Sequence, residues 1–553
     1  MKAYDSKIGE FINRKSFIIP AFQRYYVWEK ENCETLWEDL CISVENKQPH
    51  YLGNIFYFFD NTNLPQEGTI LIDGQQRIIT LFLLLCALRD VSDDKSIENE
   101  INDLIFKKNY SDSSTTKELK IQIISSQNDE LKNIAFSKNV HTKTNFYKNY
   151  LFFVSKLKNK KNEKQSNINE WFKKIFFQIQ RMDIVEIRLE NNNLNYIQTI
   201  FEKINFSGRP LANSDLIRNS LLSSTTIEEQ NSLYNEYWSK LEDPNILGIE
   251  YLPDFLENFF LTKGYFNNKK TFLFFKEYTS QNNNRTEILK EFLEYSKYYK
   301  KILECNTKNK NINKYLKELK ALKYSFLKPL LLLLFYKLNK PEDEKELANI
   351  LNLFVLFLVR YRVCNSNKGG SKLTAFFTKD IILELSKNDI INKKEYIKNK
   401  ILNWEEYPND ERFSFCLSNY SFLNQSDLAK ILLNKIECWK YKDIDIPFDW
   451  TTLEHVLPQA IDNNWKKELG IIDKDHENKY DKLKYSLGNL VLLSQRQNST
   501  ASNNLFKDKK NMYINSSFSI TRDLVKENTW NDAQIKKRTN ELVHKAIKAI
   551  KIN

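Results

Sequence analysis

An unbroken apolar stretch, Ile78 to Leu88, follows directly on the polar block Asp73-Gly74-Gln75-Gln76-Arg77 and the short β-branched run Thr69 to Ile72. Eleven residues without a charge are too long for an ordinary buried strand, so their length and composition predict a helix enclosed by protein. Upstream, Gly53 to Phe59 is rich in β-branched and aromatic residues, and the turn-forming Asp60-Asn61-Thr62-Asn63 separates it from Thr69 to Ile72. These two runs predict strands. The polar block then lies where a strand hands over to a helix N-terminus, where backbone N–H groups are available to an anion.

A chain of 553 residues exceeds what one core usually serves, so two to four domains are expected. With 41% hydrophobic and 28% charged residues it is ordinary globular material, and 11 Gly and 11 Pro leave few tight turns. The expected fold is mainly α, with α+β domains at both ends. Ser92 to Lys174 is polar and Lys/Asn-rich and reads as an insertion, helical in pieces, with Leu119 to Ile124 a strand. Arg181 to Leu189 alternates as a strand, Asn195 to Ile204 predicts a helix, and Asn213 or Ser214 caps another through Leu222. Residues 226–440 are almost wholly helical, clearest at Tyr251 to Leu261, Ile288 to Ile302, Pro329 to Leu338, Glu346 to Arg360 and Leu428 to Trp439. Asp443-Ile444-Asp445-Ile446-Pro447 marks a boundary, after which Trp450 to Val456, Asn489 to Leu493 and a helix from Asn503 give a β-β-α order. The final helix, Asp532 to Ile550, is lysine-rich and reads first as a solvated cap. Three domains result: 1–225, a helical middle at 226–440, and 441–553.

The 83 Lys+Arg against 71 Asp+Glu give a net charge of +12, which favours polyanionic partners, although runs such as Asn306 to Asn311 equally suit a solvated surface. Seven cysteines stand singly at 33, 41, 86, 305, 364, 416 and 438, with neither a zinc pair nor a disulfide framework, which fits a reducing cytoplasm. The N-terminus begins no signal region, and the apolar run Pro329 to Tyr336 is too short to cross a bilayer, so no membrane partner is expected.

The chemistry-bearing residues gather near the C-terminus. Leu453-Glu454-His455-Val456-Leu457-Pro458-Gln459 precedes Leu487-Gly488-Asn489-Leu490-Val491-Leu492-Leu493 and then Gln497-Asn498, with the two asparagines nine positions apart. A histidine able to take a proton from water, oxygen donors for a metal and an orienting amide suffice to cut a phosphodiester. Alternation along a strand would turn Glu454 and His455 to opposite faces unless the strand bends or ends there. His50, His141, His476 and His544 have no such surroundings and read as packed or solvated side chains.

This context resembles an HNH, or ββα-metal, nuclease. More specifically, Glu454 to Gln459 with Leu487-Gly488-Asn489-Leu490 and Asn498-Ser499 resembles the C-terminal nuclease domain of the GmrSD family of modification-dependent restriction enzymes. The resemblance implies His455 as general base, Glu454 and Asn498 as ligands of Mg²⁺ or Mn²⁺, Asn489 as the positioning amide, and Lys509 as a phosphate contact. Asn498 stands where the best-known HNH pattern has a histidine, and a neutral amide is a weaker ligand, so loose metal binding is expected.

Near the N-terminus, Ile19-Pro20-Ala21-Phe22-Gln23-Arg24-Tyr25-Tyr26-Val27-Trp28 adds an amide and a guanidinium among aromatic rings to the carboxylate, amides and guanidinium of the 73–77 block. Two guanidiniums near one loop favour a phosphate there. With Phe201 to Leu211, which carries Asn205 and Arg209, these segments resemble the N-terminal domain of the same family, of ParB/sulfiredoxin-like fold. The resemblance implies binding or hydrolysis of a nucleoside triphosphate centred on Asp73, Gly74, Gln75, Gln76 and Arg77, with Gln23, Arg24, Asn205 and Arg209 as helpers. No Walker-type loop is present.

The reading that follows is a nucleotide-regulated, metal-dependent endonuclease acting on double-stranded, modified phage DNA. One HNH site nicks one strand per visit, so a double-strand cut needs a homodimer or repeated action. Two alternatives stand beside it: a nucleotide-gated DNA sensor whose nuclease is silent or partner-dependent, and an RNA-cleaving toxin, because phosphodiester chemistry does not report the sugar.

Overall fold

The computed structural model describes residues 1–59, 68–107, 117–125, 127–138, 144–162, 168–190, 196–197, 200, 212–222, 227–266, 271–282, 284–365, 370–440, 449, 451–471, 473–501 and 503–552. The chain divides into two compact units, one of residues 1–256 and 269–294, the other of 257–268 and 295–553.

The first unit is built on a mixed sheet. Its elements run β1 (Lys2–Lys7), α1 (Ile8–Arg14), β2 (Ser16–Ile19), α2 (Lys30–Asn46), β3 (Tyr51–Phe59), β4 (Gly68–Asp73), α3 (Gln75–Val91), α4 (Lys95–Ile105), β5 (Ile121–Ile123), α5 (Asn128–Ala135), α6 (Asn145–Asn162), α7 (Ile168–Gln180) and β6 (Asp183–Arg188). The sheet order is β1-β6-β3-β4-β2-β5, with β1/β6 and β3/β4 antiparallel and β3/β6, β2/β4 and β2/β5 parallel. The apolar stretch after the polar block forms α3, buried without a break from Ile78 to Arg89 because α4 and α6 pack around it. The described residues of 92–174, which read as an insertion, join the main sheet and its core. β5 pairs with β2 in the main sheet and α6 lays Phe146, Phe152, Phe153 and Leu157 into the same core as α3, so the polar composition belongs to the outer faces of these elements.

One buried carboxylate holds the first edge of this sheet. Glu186 on β6 is 5% exposed and accepts from Lys15 Nζ at 2.8 Å and the Tyr57 hydroxyl at 3.0 Å. Burial alone would raise its carboxyl, but the hydrogen bonds from Lys15, Ser6 and Tyr57 and the Lys15 charge outweigh this and hold it below the usual carboxylate range. A depressed folded-state value stabilises above the unfolded pKa of about 4.3 and the contribution fades as pH falls through the folded value. In urea titrations of the first unit, Glu186→Gln is therefore expected to lose about 2–3 kcal/mol at pH 7, with a smaller deficit at pH 3 than at pH 6. An equal deficit at both values would contradict the paired carboxylate.

The second unit is helical around a small hairpin. The helix Glu344–Cys364 is largely apolar from Leu347 to Val359, and within Pro341–Cys364 an 18-residue stretch is long and apolar enough to cross a bilayer but is 78% buried inside the protein. The length criterion that Pro329 to Tyr336 fails is met by this core helix instead. Side chains stitch these helices to the C-terminal segment. Arg360, fully buried, donates to the Ile550 carbonyl at 2.8 Å and the Pro408 carbonyl at 3.2 Å, and Glu437 accepts from the backbone N–H groups of Ser519 and Ile520 at 2.6 and 3.0 Å. Strands β7 (Thr452–His455) and β8 (Leu490–Leu493) pair antiparallel, and the helices Gln495–Ala501 and Phe506–Tyr513 follow. The helix Asp532–Ala549 packs against the turn before β8, where Gly488 permits the approach: a Cβ there would lie 2.1 Å from the Ile535 carbonyl oxygen.

Candidate functional site

In the β7–β8 hairpin Glu454 stands opposite Val491 and His455 opposite Leu490. Strand alternation separates the neighbours: Glu454 is 7% exposed, while His455 stays half-buried. Lys509 Nζ donates to Glu454 Oε1 at 2.6 Å and to the carbonyl oxygens of His455 and Val456 at 2.9 and 3.1 Å. This corrects the expected phosphate contact. The Lys509 side chain has 0% exposure and its three ammonium protons have internal acceptors, so it fastens the end of β7 to the helix behind it. Burial raises the Glu454 carboxyl and lowers the Lys509 ammonium, and their mutual attraction opposes both shifts.

The loop after β7 is clamped by Asn489, which is 0% exposed. Its Oδ1 accepts from the Leu457 N–H at 2.8 Å and from Trp530 Nε1 at 3.0 Å, and its Nδ2 donates to the Leu457 and Lys484 carbonyls, both at 2.9 Å. The Asn489 backbone carbonyl also accepts from the Val456 N–H at 3.0 Å. One buried amide thus fixes the two residues after His455, and Trp530 and Lys484 are partners that no motif announced.

His455 meets the Tyr485 ring edge-on, 5.7 Å between centroids, and Gln459 Nε2 stands 3.4 Å from its Nε2. Burial, then the charges of Lys509 and Lys484, push the imidazole down to about 4. The ring is neutral at pH 7, with the lone pair a general base needs. Asn498, in the helix Gln495–Ala501, donates from Nδ2 to the Leu453 carbonyl at 3.2 Å, which points its Oδ1 away from that carbonyl.

These residues fit a hard divalent cation in a limited way. Glu454, 7% exposed, has one oxygen held by Lys509 at 2.6 Å, and Asn498 is anchored at Leu453, one residue away along the chain. Among the described residues no group of three His, Cys, Asp or Glu side chains gathers. A cation here would take one carboxylate and one amide oxygen and fill its shell with water, which Mg²⁺ and Mn²⁺ accept.

In the first unit the polar block between β4 and α3 holds its surroundings together. Gly74, at φ +92°, is the residue before the first turn of α3 and has no side chain with which to cap it. Gln76 Oε1 accepts from the Val27 N–H at 2.9 Å and its Nε2 donates to the Tyr25 carbonyl at 2.9 Å, while Gln75 Nε2 donates to the Arg24 carbonyl at 3.0 Å. Gln23 Nε2 reaches the carbonyls of Leu71 and Ile72 at 3.2 and 2.8 Å. Both amides of the block and Gln23 thereby lash the 23–27 segment to β4 and α3. Arg77 donates from its two terminal nitrogens to the Leu52 and Asn54 carbonyls at 3.0 and 2.7 Å and pairs with Asp73 at 3.4 Å. The protein itself supplies acceptors for this guanidinium, so no external anion is required to place it. Asn205 and Arg209 lie outside the described residues.

Gly53 makes the Arg77 arrangement possible. It sits at φ +112°, and a Cβ there would come within 2.0 Å of an Arg77 terminal nitrogen. Gly53→Ala is expected to destabilise the first unit by about 2–3 kcal/mol through strain and displacement of Arg77. A change below about 0.5 kcal/mol in a urea midpoint analysis would contradict this packing.

Sequence reasoning missed Arg218. It is 2% exposed, in the helix Asn213–Leu222, and donates to the Gln23 carbonyl at 2.7 Å and to Asp215 and Glu242 at 3.1 Å each. Its guanidinium lies 4.7 Å from the Tyr25 ring centroid. Glu242 also accepts from Trp238 Nε1 at 2.7 Å, from the Tyr234 hydroxyl at 3.1 Å and from the Tyr25 hydroxyl. The spacing Asp215-x-x-Arg218 marked a helical pair, but Glu242 lies too far along the chain for any local pattern to connect it.

Two family models match in chain order. Residues 8–222 match the GmrSD restriction endonuclease N-terminal domain, and residues 407–545 match the GmrSD restriction endonucleases C-terminal domain. No curated protein matches the chain. The first match contains the block at Asp73 to Arg77 and the 23–27 segment it holds, and the second contains the β7–β8 hairpin with His455, Asn489 and Asn498. Together they span well over half of the 553 residues, and the chain belongs to the GmrSD family of restriction endonucleases.

Proposed function

We propose that the C-terminal hairpin is an HNH-type active site that hydrolyses one DNA strand per visit, and that the first unit licenses the cut through a bound nucleoside triphosphate and a modified base or backbone in phage DNA. The observation that carries the nuclease reading is the neutral, half-buried His455 at the end of β7, held by the fully buried Asn489, with Asn498 anchored on the Leu453 carbonyl of the same strand. His455 takes a proton from the attacking water. Asn489 keeps the backbone behind the ring in place, Lys509 orients Glu454, and Asn498, on the helix after β8, is anchored by its Nδ2 on the Leu453 carbonyl of β7. A divalent cation, when bound by Glu454 and Asn498, supplies charge neutralisation at the scissile phosphate and the departing oxygen.

The regulatory reading is supported by the N-terminus of α3, where Gly74 has no side chain to cap the first turn, beside the one-third exposed Asp73. Such a turn receives a phosphate group with its backbone N–H groups. The test is nucleotide titration and turnover by Asp73→Ala, for which at least about a tenfold loss of either is expected; unchanged titration and turnover would remove this block as the nucleotide site.

A further inference from the structure

The functional groups of the 73–77 block divide into those committed to the protein and those left over. Gln76 has a backbone partner for both its oxygen and its nitrogen, and Arg77 holds Leu52 and Asn54. Gln75 differs. It is 4% exposed, its Nε2 is fixed on the Arg24 carbonyl at 3.0 Å, and the opposite atom, Oε1, is buried without a hydrogen-bond partner. The protein itself supplies no donor to this oxygen, so its partner is a group from outside the chain, a water or a ligand. A second atom of this kind flanks the same segment. Arg218 holds the Gln23 carbonyl, one peptide from Arg24, and its Nε is buried without a partner. Beside them the first turn of α3 follows Gly74, which has no side chain to cap it.

We infer that the nucleotide at the α3 N-terminus presents an O–H or N–H donor of its nucleoside part to Gln75 Oε1, so that this residue reads sugar or base while the helix turn takes phosphate. The inference rests on the nucleotide reading of this block and deepens it. An ionised phosphate oxygen accepts hydrogen bonds and has no proton to offer Oε1. A divalent cation also satisfies an oxygen, but one buried neutral amide is a poor start for a shell of six ligands, and among the described residues no three acidic, His or Cys side chains gather to complete it. A ribose hydroxyl and an exocyclic base amine share the required chemistry.

The full chain is titrated calorimetrically, with and without Mg²⁺, with ATP and GTP, their 2′-deoxy and 3′-deoxy forms, purine riboside triphosphate and inosine triphosphate as analogues lacking an exocyclic amine, and inorganic triphosphate. At least one analogue is expected to bind about tenfold more weakly than its parent, and the gap to shrink below about twofold in Gln75→Leu. Which analogue fails identifies sugar or base. If Gln75→Leu does not fold, the wild-type series decides. Equal affinity for a parent nucleotide and all its analogues, a gap that survives in a folded Gln75→Leu, or a Gln75 effect seen only with Mg²⁺ overturns the inference while leaving nucleotide binding intact. Absence of binding by every nucleotide overturns the underlying nucleotide reading as well.

Discussion

His455→Ala is expected to lower metal-dependent DNA cleavage by at least about a hundredfold, and up to about ten-thousandfold, with no loss of the folded state. In the proposed mechanism the neutral imidazole is the base, and the contacts that place it are made by other residues: Asn489 through Leu457, and Lys509 through the His455 and Val456 carbonyls. Removing the ring takes away the proton acceptor and leaves this scaffold standing. The check is a single-turnover assay beside a thermal melt. A variant that melts as wild type and retains more than about a tenth of its rate would show that another group takes the proton.

Lys509→Met is expected to act in the opposite order, through structure first. The ammonium is completely buried, its three acceptors lie within 3.1 Å, and Glu454 would remain as an unpaired carboxylate at 7% exposure. Breaking such a pair from one side costs about 3–5 kcal/mol, and cleavage falls with the loss of a fixed Glu454. Neutralising both ends, in Lys509→Met with Glu454→Gln, should recover part of the stability, because the unpaired charge is then gone. The measurement is denaturant unfolding of the two variants beside the wild type. A loss below about 1 kcal/mol, accompanied by weaker DNA binding with a shallower salt dependence, would instead mark a lysine that meets phosphate at the surface.

Much of the architecture was legible because it follows from period and length. The apolar run Ile78 to Leu88 became the core of α3, Thr69 to Ile72 lies within β4, and Leu428 to Trp439 within the helix Ser426–Lys440. β1 was not legible. Its residues, Lys2–Lys7, are mostly exposed and polar, as an edge strand can be, and only pairing with β6 makes them a strand. Residues 92–174 misled because their surface composition hid a core contribution made by a few aromatic and aliphatic side chains at helical spacing.

At the candidate sites, the sequence shows which residues are spaced as a motif but not what each side chain touches. His455, Asn489 and Asn498 were visible as a spaced motif, whereas the direction of Lys509 depends on how the helix Phe506–Tyr513 packs behind β7. In the same way, a guanidinium in a polar block suggests an anion, yet the carbonyls of Leu52 and Asn54 take the Arg77 donors because Gly53 leaves them room. Such partners come from distant parts of the chain, and no local spacing reveals them.

The most direct test is the cleavage rate of the purified full chain on one phage DNA prepared unmodified, with glucosylated hydroxymethylcytosine and with phosphorothioate linkages, in Mg²⁺ or Mn²⁺, with and without nucleoside triphosphate, beside His455→Ala. Metal-dependent cutting of at least one modified DNA, absent from the unmodified DNA, altered by nucleotide and lost in His455→Ala, is the predicted result. Cutting that ignores modification and nucleotide, or that persists in His455→Ala, would contradict it.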